Sequence, residues 1–448
     1  MALFELFLYS DMQNNQYLRR SLSAVWHPCT QMKAHEQLPL IPIQRGEGAW
    51  LYDFDGRRYL DGVSSWWVNL FGHANPRINA AIKNQLDTLE HVILAGFTHE
   101  AVIELSERLS AKTNHQLGHC FYASDGASAI EIALKMSFHY WRNVGEPNKR
   151  QFVSLANSYH GETLGALSVT DVALFKDAYG PLLRVSATVP SPDSRLAAAG
   201  ESALEYAKRC AADLEIYLEN NHASIAAFIV EPLIQCATGM AMYDAEYLRL
   251  AREICDRFDV HLIADEIAVG FGRTGTFFAC EQASITPDFL CLSKGLSGGY
   301  LPLSVVMTRD PIYQAFYDDD VTRGFLHSHS YTGNALACRA ALATLDIFEQ
   351  DNVVEKNRQR SEKLSKLAAP IAAHAKVKHF RNRGMIWAFD VETTDPQFAR
   401  KFFLAGLARE LLLRPIGNTV YFMPPYVIDA EQSALLTART LDILNEIA

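Results

Sequence analysis

The sequence predicts an α/β protein: a large domain with a mostly parallel sheet wrapped by helices, plus a smaller α+β lobe built from both chain ends. Three observations predict it. Short β-rich runs recur between residues 120 and 307, and several are apolar at every position, as in strands buried on both faces. Stretches of helical periodicity separate them, and strand–helix alternation is the pattern of a parallel sheet covered by helices. The two ends of the chain lack this alternation.

The elements follow in order. Residues 3–9 form a short apolar run that contains Glu5, with no basic flank and no small-residue cleavage site after it. It does not read as a signal peptide and is too short to span a bilayer. It reads as a docking segment or a tail, and Met12 offers a second start. Residues 41–61 read as short strands and turns, with Asp55-Gly56 between alternating runs as a hairpin signal. Strands are then expected at 120–123, 152–155, 225–230, 261–264, 289–292 and 303–307, with helices at 129–140 and 245–258 among those between them. From about residue 340 the chain turns helical, then offers strands at 385–389 and 420–423. The expected division is 1–62 for the first part of the small lobe, 63–340 for the large domain and 341–448 for the rest of the small lobe.

Composition narrows the function. The chain has 448 residues, 49% hydrophobic and 21% charged, with a formal charge of −10 and no Lys/Arg block. Nucleic-acid binding is not expected, and no apolar stretch reaches the ~18 residues of a membrane helix. Eight cysteines are scattered with no C-x-x-C pair, so neither a metal site nor a redox motif is expected, and a cytoplasmic setting is.

Ligands of open parallel sheets bind beyond the carboxyl ends of the strands. The residues following each apolar run therefore converge on one edge: Ser124 to Ser128 with Gly126 and Ala127, then Tyr159, Glu231, Asp265 and Lys294. Each has an ordinary reading by itself: helix cap, core aromatic, strand-end acid, solvated lysine. Together they suit an anion at a helix N-terminus, a planar ring under Tyr159, a pyridine nitrogen held protonated by Asp265, and an amine at Lys294 whose pKa burial lowers. Glu231, before Pro232, either orients groups around the ring or is a strand-end acid.

The stretch LIADEIAVGFGRTG from Leu262, with Lys294 29 residues after Asp265, resembles the signature of the class III aminotransferases. The likeness runs from about Trp26 across nearly the whole chain. It implies the type I pyridoxal-phosphate fold and a homodimer with sites at the subunit interface. It further implies Lys294 as the Schiff-base lysine and Asp265 as the partner of the ring nitrogen. Gly126 and Ala127 would donate N–H groups to the phosphate, and Tyr159 would lie on the ring. Ser330, in HSHSYTGN, would reach the phosphate of the neighbouring subunit.

WHPCTQM from Trp26, SSWW at 64–67, NSYHGET from Asn157 and LRPIGNTVYFMPPY from Leu413 look like the biotin-synthesis branch of that family, which passes an amino group from adenosylmethionine to an amino-keto acid. Trp66 and Trp67 can wall the apolar chain of such an acceptor, and Arg414 can clamp its far carboxylate. Core packing and a surface ion pair are their ordinary readings. Cys29 stands where that branch often has an aromatic residue, at a position the resemblance places beside the donor pocket. The alternatives are another ω-amino-acid transaminase, a racemase or decarboxylase of the same fold, and a non-catalytic binding protein.

Overall fold

A computed structural model of the protein describes residues 13–36, 38 and 40–447. The apolar run at 3–9 and Met12 lie outside the described residues. Seven strands form the central sheet: β1 (His119–Ala123), β2 (Gln151–Leu155), β3 (Ala187–Val189), β4 (Ile225–Val230), β5 (His261–Asp265), β6 (Phe289–Leu292) and β7 (Ser304–Thr308). Their spatial order is β1-β7-β6-β5-β4-β2-β3. Pairing is parallel throughout except at β7, which runs antiparallel to both β6 and β1. Every residue of β4, β5, β6 and β7 is buried, which explains their unbroken apolar runs.

The period of two still sorts these side chains. Ala227, Ile229, Ile263, Phe289, Cys291 and Val306 pack on one face, in a cluster with Ile130, Ala133 and Leu134 of the helix Gly126–Asn143. Phe228, Val230, Leu262, Leu290, Leu292 and Val305 point the other way, into the main core. There the helices Ala203–Asn221 and Glu246–Arg257 pack together, the latter burying Leu248, Ala251 and Ile254.

Both chain ends meet in a second sheet. The Asp55-Gly56 hairpin joins strands Trp50–Asp53 and Arg58–Asp61, with Gly56 at φ +81°. The strand Arg58–Asp61 then pairs in parallel with Leu411–Leu412, some 350 residues later in the chain. A further antiparallel sheet joins Val377–Arg383, Ile386–Val391 and Thr419–Phe422. The short edge strand β3 has no counterpart among the sequence expectations, since three residues carry too little periodicity to register. Among the described residues no helix is long and apolar enough to cross a membrane.

Candidate active site

The carboxyl ends of β1, β2, β4, β5 and β6 open onto one cavity of about 600 Å³. Gly126, Ala127, Tyr159, Glu231, Asp265 and Lys294 all line it, as the strand-end argument requires. Cys29, Trp66 and Trp67 border it from elements outside the large sheet.

The helix Gly126–Asn143 starts at the cavity wall. The Asp125 carboxylate caps it by accepting from the Ser128 N–H at 2.9 Å. The N–H groups of Gly126 and Ala127, at the first two helical positions, have no partner within the helix. The facing loop is close: a Cβ on Gly161, at φ +122°, would come within 2.7 Å of the Ala127 Cβ. Only glycine keeps this end open, and the exposed N–H pair with the helix dipole suits a phosphate.

Asp265 ends β5 and is buried. Its Oδ1 accepts from the Ile267 N–H at 3.1 Å, and its Oδ2 lies 2.7 Å from Nδ1 of His160. His160 is itself buried, and its Nε2 has no partner. Sequence reasoning missed this contact. The signal was present, since His160 adjoins Tyr159 in the same strand-end loop, but only the fold brings that loop onto β5.

Glu231 stands fully inside the protein. Burial raises its carboxyl well above the usual range, and the nearby Asp265 charge raises it further. Its Oε2 accepts from the Tyr159 N–H at 3.1 Å and its Oε1 from the Cys236 N–H at 3.2 Å. It therefore fixes the loop that carries Tyr159. The Tyr159 hydroxyl donates to Glu162 at 2.9 Å.

Lys294 follows β6 in a left-handed conformation, φ 41°. Burial lowers the pKa of its ammonium, against the opposing pull of Asp265. Its Nζ lies 5.2 Å from the centre of the Trp67 ring. Trp67 is buried and its indole N–H donates to the Tyr421 hydroxyl at 3.1 Å. Trp66 is half exposed and lies under Arg414, whose guanidinium carbon is 5.0 Å from the ring centre. The two tryptophans belong to one left-handed turn: Ser64, Ser65, Trp66 and Trp67 have φ of 51°, 46°, 74° and 72°. Each non-glycine residue held so costs roughly 1–2 kcal/mol. Cys29 is exposed at the cavity rim, also at positive φ. Ser330 is not brought into the cavity of its own chain: it is exposed, and its carbonyl accepts from His91 at 2.8 Å.

The residues present fit pyridoxal phosphate. A helix start free of side-chain bulk suits the anionic arm, a buried carboxylate backed by an imidazole suits a pyridinium nitrogen, and a desolvated lysine shares the same cavity.

The comparisons with known proteins agree with this geometry. The model of the class-III aminotransferase family matches residues 31–444. The adenosylmethionine-8-amino-7-oxononanoate aminotransferase of Helicobacter pylori is 49% identical over 435 residues, covering 95% of this chain and 97% of that protein. The enzyme of the same name from Geobacter sulfurreducens is 38% identical over 419 residues, with 91% and 92% covered. Among solved structures, the Methanocaldococcus jannaschii adenosylmethionine-8-amino-7-oxononanoate aminotransferase superposes with a TM-score of 0.91 at 34% identity, covering 97% of this chain and 99% of that one. An amine transaminase from an uncultivated Pseudomonas species, in a PLP-bound form, gives 0.89 at 30% identity, with 95% and 99% covered. A strand edge that brings Asp265 and Lys294 into one cavity, an aromatic turn and a sequence match spanning nearly the whole chain lead to one conclusion: the chain belongs to the class-III aminotransferase family.

Proposed function

We propose that this protein transfers an amino group from S-adenosylmethionine to 8-amino-7-oxononanoate, giving 7,8-diaminononanoate for biotin synthesis. The observation that carries the reading is Arg414 lying over Trp66, a residue that lines the cavity holding Lys294. A guanidinium beside an apolar aromatic wall, with a desolvated lysine deeper in, suits an acceptor with a carboxylate at one end and a keto group further along. The curated relatives carry the name of that activity.

The cofactor is pyridoxal 5′-phosphate, which supplies an aldehyde to take up the amino group and a ring to take up an electron pair. Lys294 would be the residue that anchors it, and its amine would move a proton to and from the substrate carbon. Asp265 would hold the ring nitrogen protonated, because an adjacent carboxylate favours the charged form. Gly126 and Ala127 would hold the phosphate through their N–H groups, Tyr159 would cover the ring, and Glu231 orients the Tyr159 loop. Ser330 serves the site of the neighbouring subunit, which makes the working unit a homodimer. The division at 1–62, 63–340 and 341–448 belongs to the same reading. It is supported by the pairing of Leu60 with Leu411, and the continuous helix Ala335–Gln350 crosses its second boundary. A cytoplasmic location fits eight free cysteines.

Cys29 favours a second reading of the donor alone. A thiol gives the adenine ring no stacking partner and the sulfonium no cation–π contact, so lysine or another amine remains a competitor. Mixing the yellow enzyme with each donor separately distinguishes them: adenosylmethionine is expected to bleach the visible band rapidly. Rapid bleaching by lysine with none by adenosylmethionine overturns the donor and leaves the acceptor standing. For the acceptor, Arg414→Ala is expected to raise KM for the keto acid about 10- to 100-fold, the loss of one charge-assisted contact, with little effect on the donor. Equal effects on both half-reactions would assign Arg414 to support of the fold.

A further inference from the structure

The left-handed turn Ser64–Trp67 is held from below by one buried carboxylate. Asp61, fully buried at the end of the strand Arg58–Asp61, spends both oxygens near it. Oδ1 accepts from the Ser65 N–H at 2.9 Å. Oδ2 accepts from the Ser65 hydroxyl at 2.7 Å and lies 2.9 Å from Nε2 of His73. His73 in turn meets the Asn69 amide nitrogen at 3.1 Å, just past the turn. The Ser64 hydroxyl donates to the Met423 carbonyl at 2.7 Å. Three anchors thus fix two serines whose backbone is in a region that serine rarely adopts.

The same strand also sets the opposite wall. Asp61 pairs with Leu412, and the Gly62 N–H donates to the Leu412 carbonyl at 3.1 Å, two residues before Arg414. The Trp66–Arg414 contact is therefore built on two neighbouring strands whose register Asp61 shares. Asp61 touches neither cavity nor cofactor pocket, as it is absent from the lining residues. Four successive left-handed residues have no reason to persist unless the surroundings over-determine them, and such segments cluster where a site needs a preset shape.

We propose that Asp61 is a positioning residue for acceptor specificity: by binding Ser65 through both oxygens it keeps the Trp66–Trp67 turn in its left-handed form and so presets the wall that the acceptor chain meets. The inference rests on the functional reading that the acceptor lies between this turn and Arg414. Its signature is a split between the half-reactions. Loss of the preset wall weakens capture of the acceptor far more than it slows chemistry at Lys294, since ordering the turn would then draw on binding energy.

The test uses the holoenzyme with Asp61→Asn, Ser65→Ala and Ser65→Gly, each half-reaction measured singly. Asp61→Asn is expected to raise the acceptor KM about tenfold, with kcat at saturating acceptor within about twofold of wild type. The serine pair supplies a control independent of whether Asp61→Asn folds. Both lose the hydroxyl, but glycine takes φ > 0 without strain and alanine does not. Ser65→Ala is expected to raise the acceptor KM severalfold, and Ser65→Gly to fall between it and wild type. An acceptor KM unchanged in Asp61→Asn, or Ser65→Gly worse than Ser65→Ala, overturns the proposal. So does an equal loss in both half-reactions, which marks a merely structural role. A wild-type enzyme that does not turn over 8-amino-7-oxononanoate sinks the functional reading instead, and the serine comparison is then read with whichever acceptor it does use.

Discussion

Burial acts on Lys294 and Glu231 in opposite senses, lowering the ammonium pKa of one and raising the carboxyl pKa of the other. Both shifts favour the uncharged form, which weakens any ion pair between the two groups and favours the amine that attacks an aldehyde. Replacing Lys294 by Ala is expected to abolish the visible absorption band and the stable adduct that borohydride leaves on the wild-type residue. A protein-linked band at this site in Lys294→Ala removes the assignment. At Asp265 the change to Asn keeps size and loses charge, with an expected fall in kcat of about 10²-fold, ~3 kcal/mol, at full cofactor occupancy. Turnover near wild type in the occupied variant contradicts the role. His160, only 2.7 Å from Asp265, extends the prediction: His160→Ala is expected to reproduce part of that loss, as measured by single-turnover rates.

At the scale of elements, β5 carries Asp265 at one end and His261 at the other. The buried His261 ring stays neutral, with its pKa held down to about 4 by desolvation, and its Nδ1 is 2.9 Å from the Ser137 hydroxyl on the helix Gly126–Asn143. Its folded pKa lies below the unfolded value of about 6.5, so the folded state binds fewer protons between the two. The stability it contributes is therefore present above pH 6.5 and lost as pH falls toward 4, by about 2 kcal/mol at pH 5. Denaturant unfolding at pH 7 and pH 5 checks this: His261→Gln is expected to lose less stability over that interval than wild type. An identical pH dependence in the two proteins would show that the strand–helix contact does not depend on a neutral ring. Elements of this kind were legible in the chain, because a strand buried on both faces is apolar along most of its length. Residues 225–230 and 289–292 announced themselves so, whereas the three-residue β3 and the left-handed turn at 64–67 did not. Nothing in SSWW signals positive φ, since no glycine or asparagine stands there.

At the scale of the whole molecule, the proposed shared site requires a second subunit. Ser330 is exposed and does not line the cavity of its own chain, as its proposed role at a neighbouring site requires. Leu174, Leu326 and Tyr331 are among the large apolar side chains left exposed. Sedimentation is expected to give a dimer at working concentration, and Ser330→Ala to weaken phosphate retention, seen as cofactor loss on dialysis. A monomer with full activity would refute the shared site.

What the sequence determined alone was the architecture and the identities at the strand ends. Apolar runs place strands, strands in parallel place their carboxyl ends on one edge, and Gly126, Tyr159, Glu231, Asp265 and Lys294 follow those ends in the chain. What the tertiary structure decided was everything that joins distant segments. Asp61 reaches Ser65 only within its own turn, but it meets Leu412 across some 350 residues, and His160 meets Asp265 across 105. No local pattern encodes such contacts. They depend on the register in which the sheets close and on burial, which sets the charge of each group only once its neighbours have arrived.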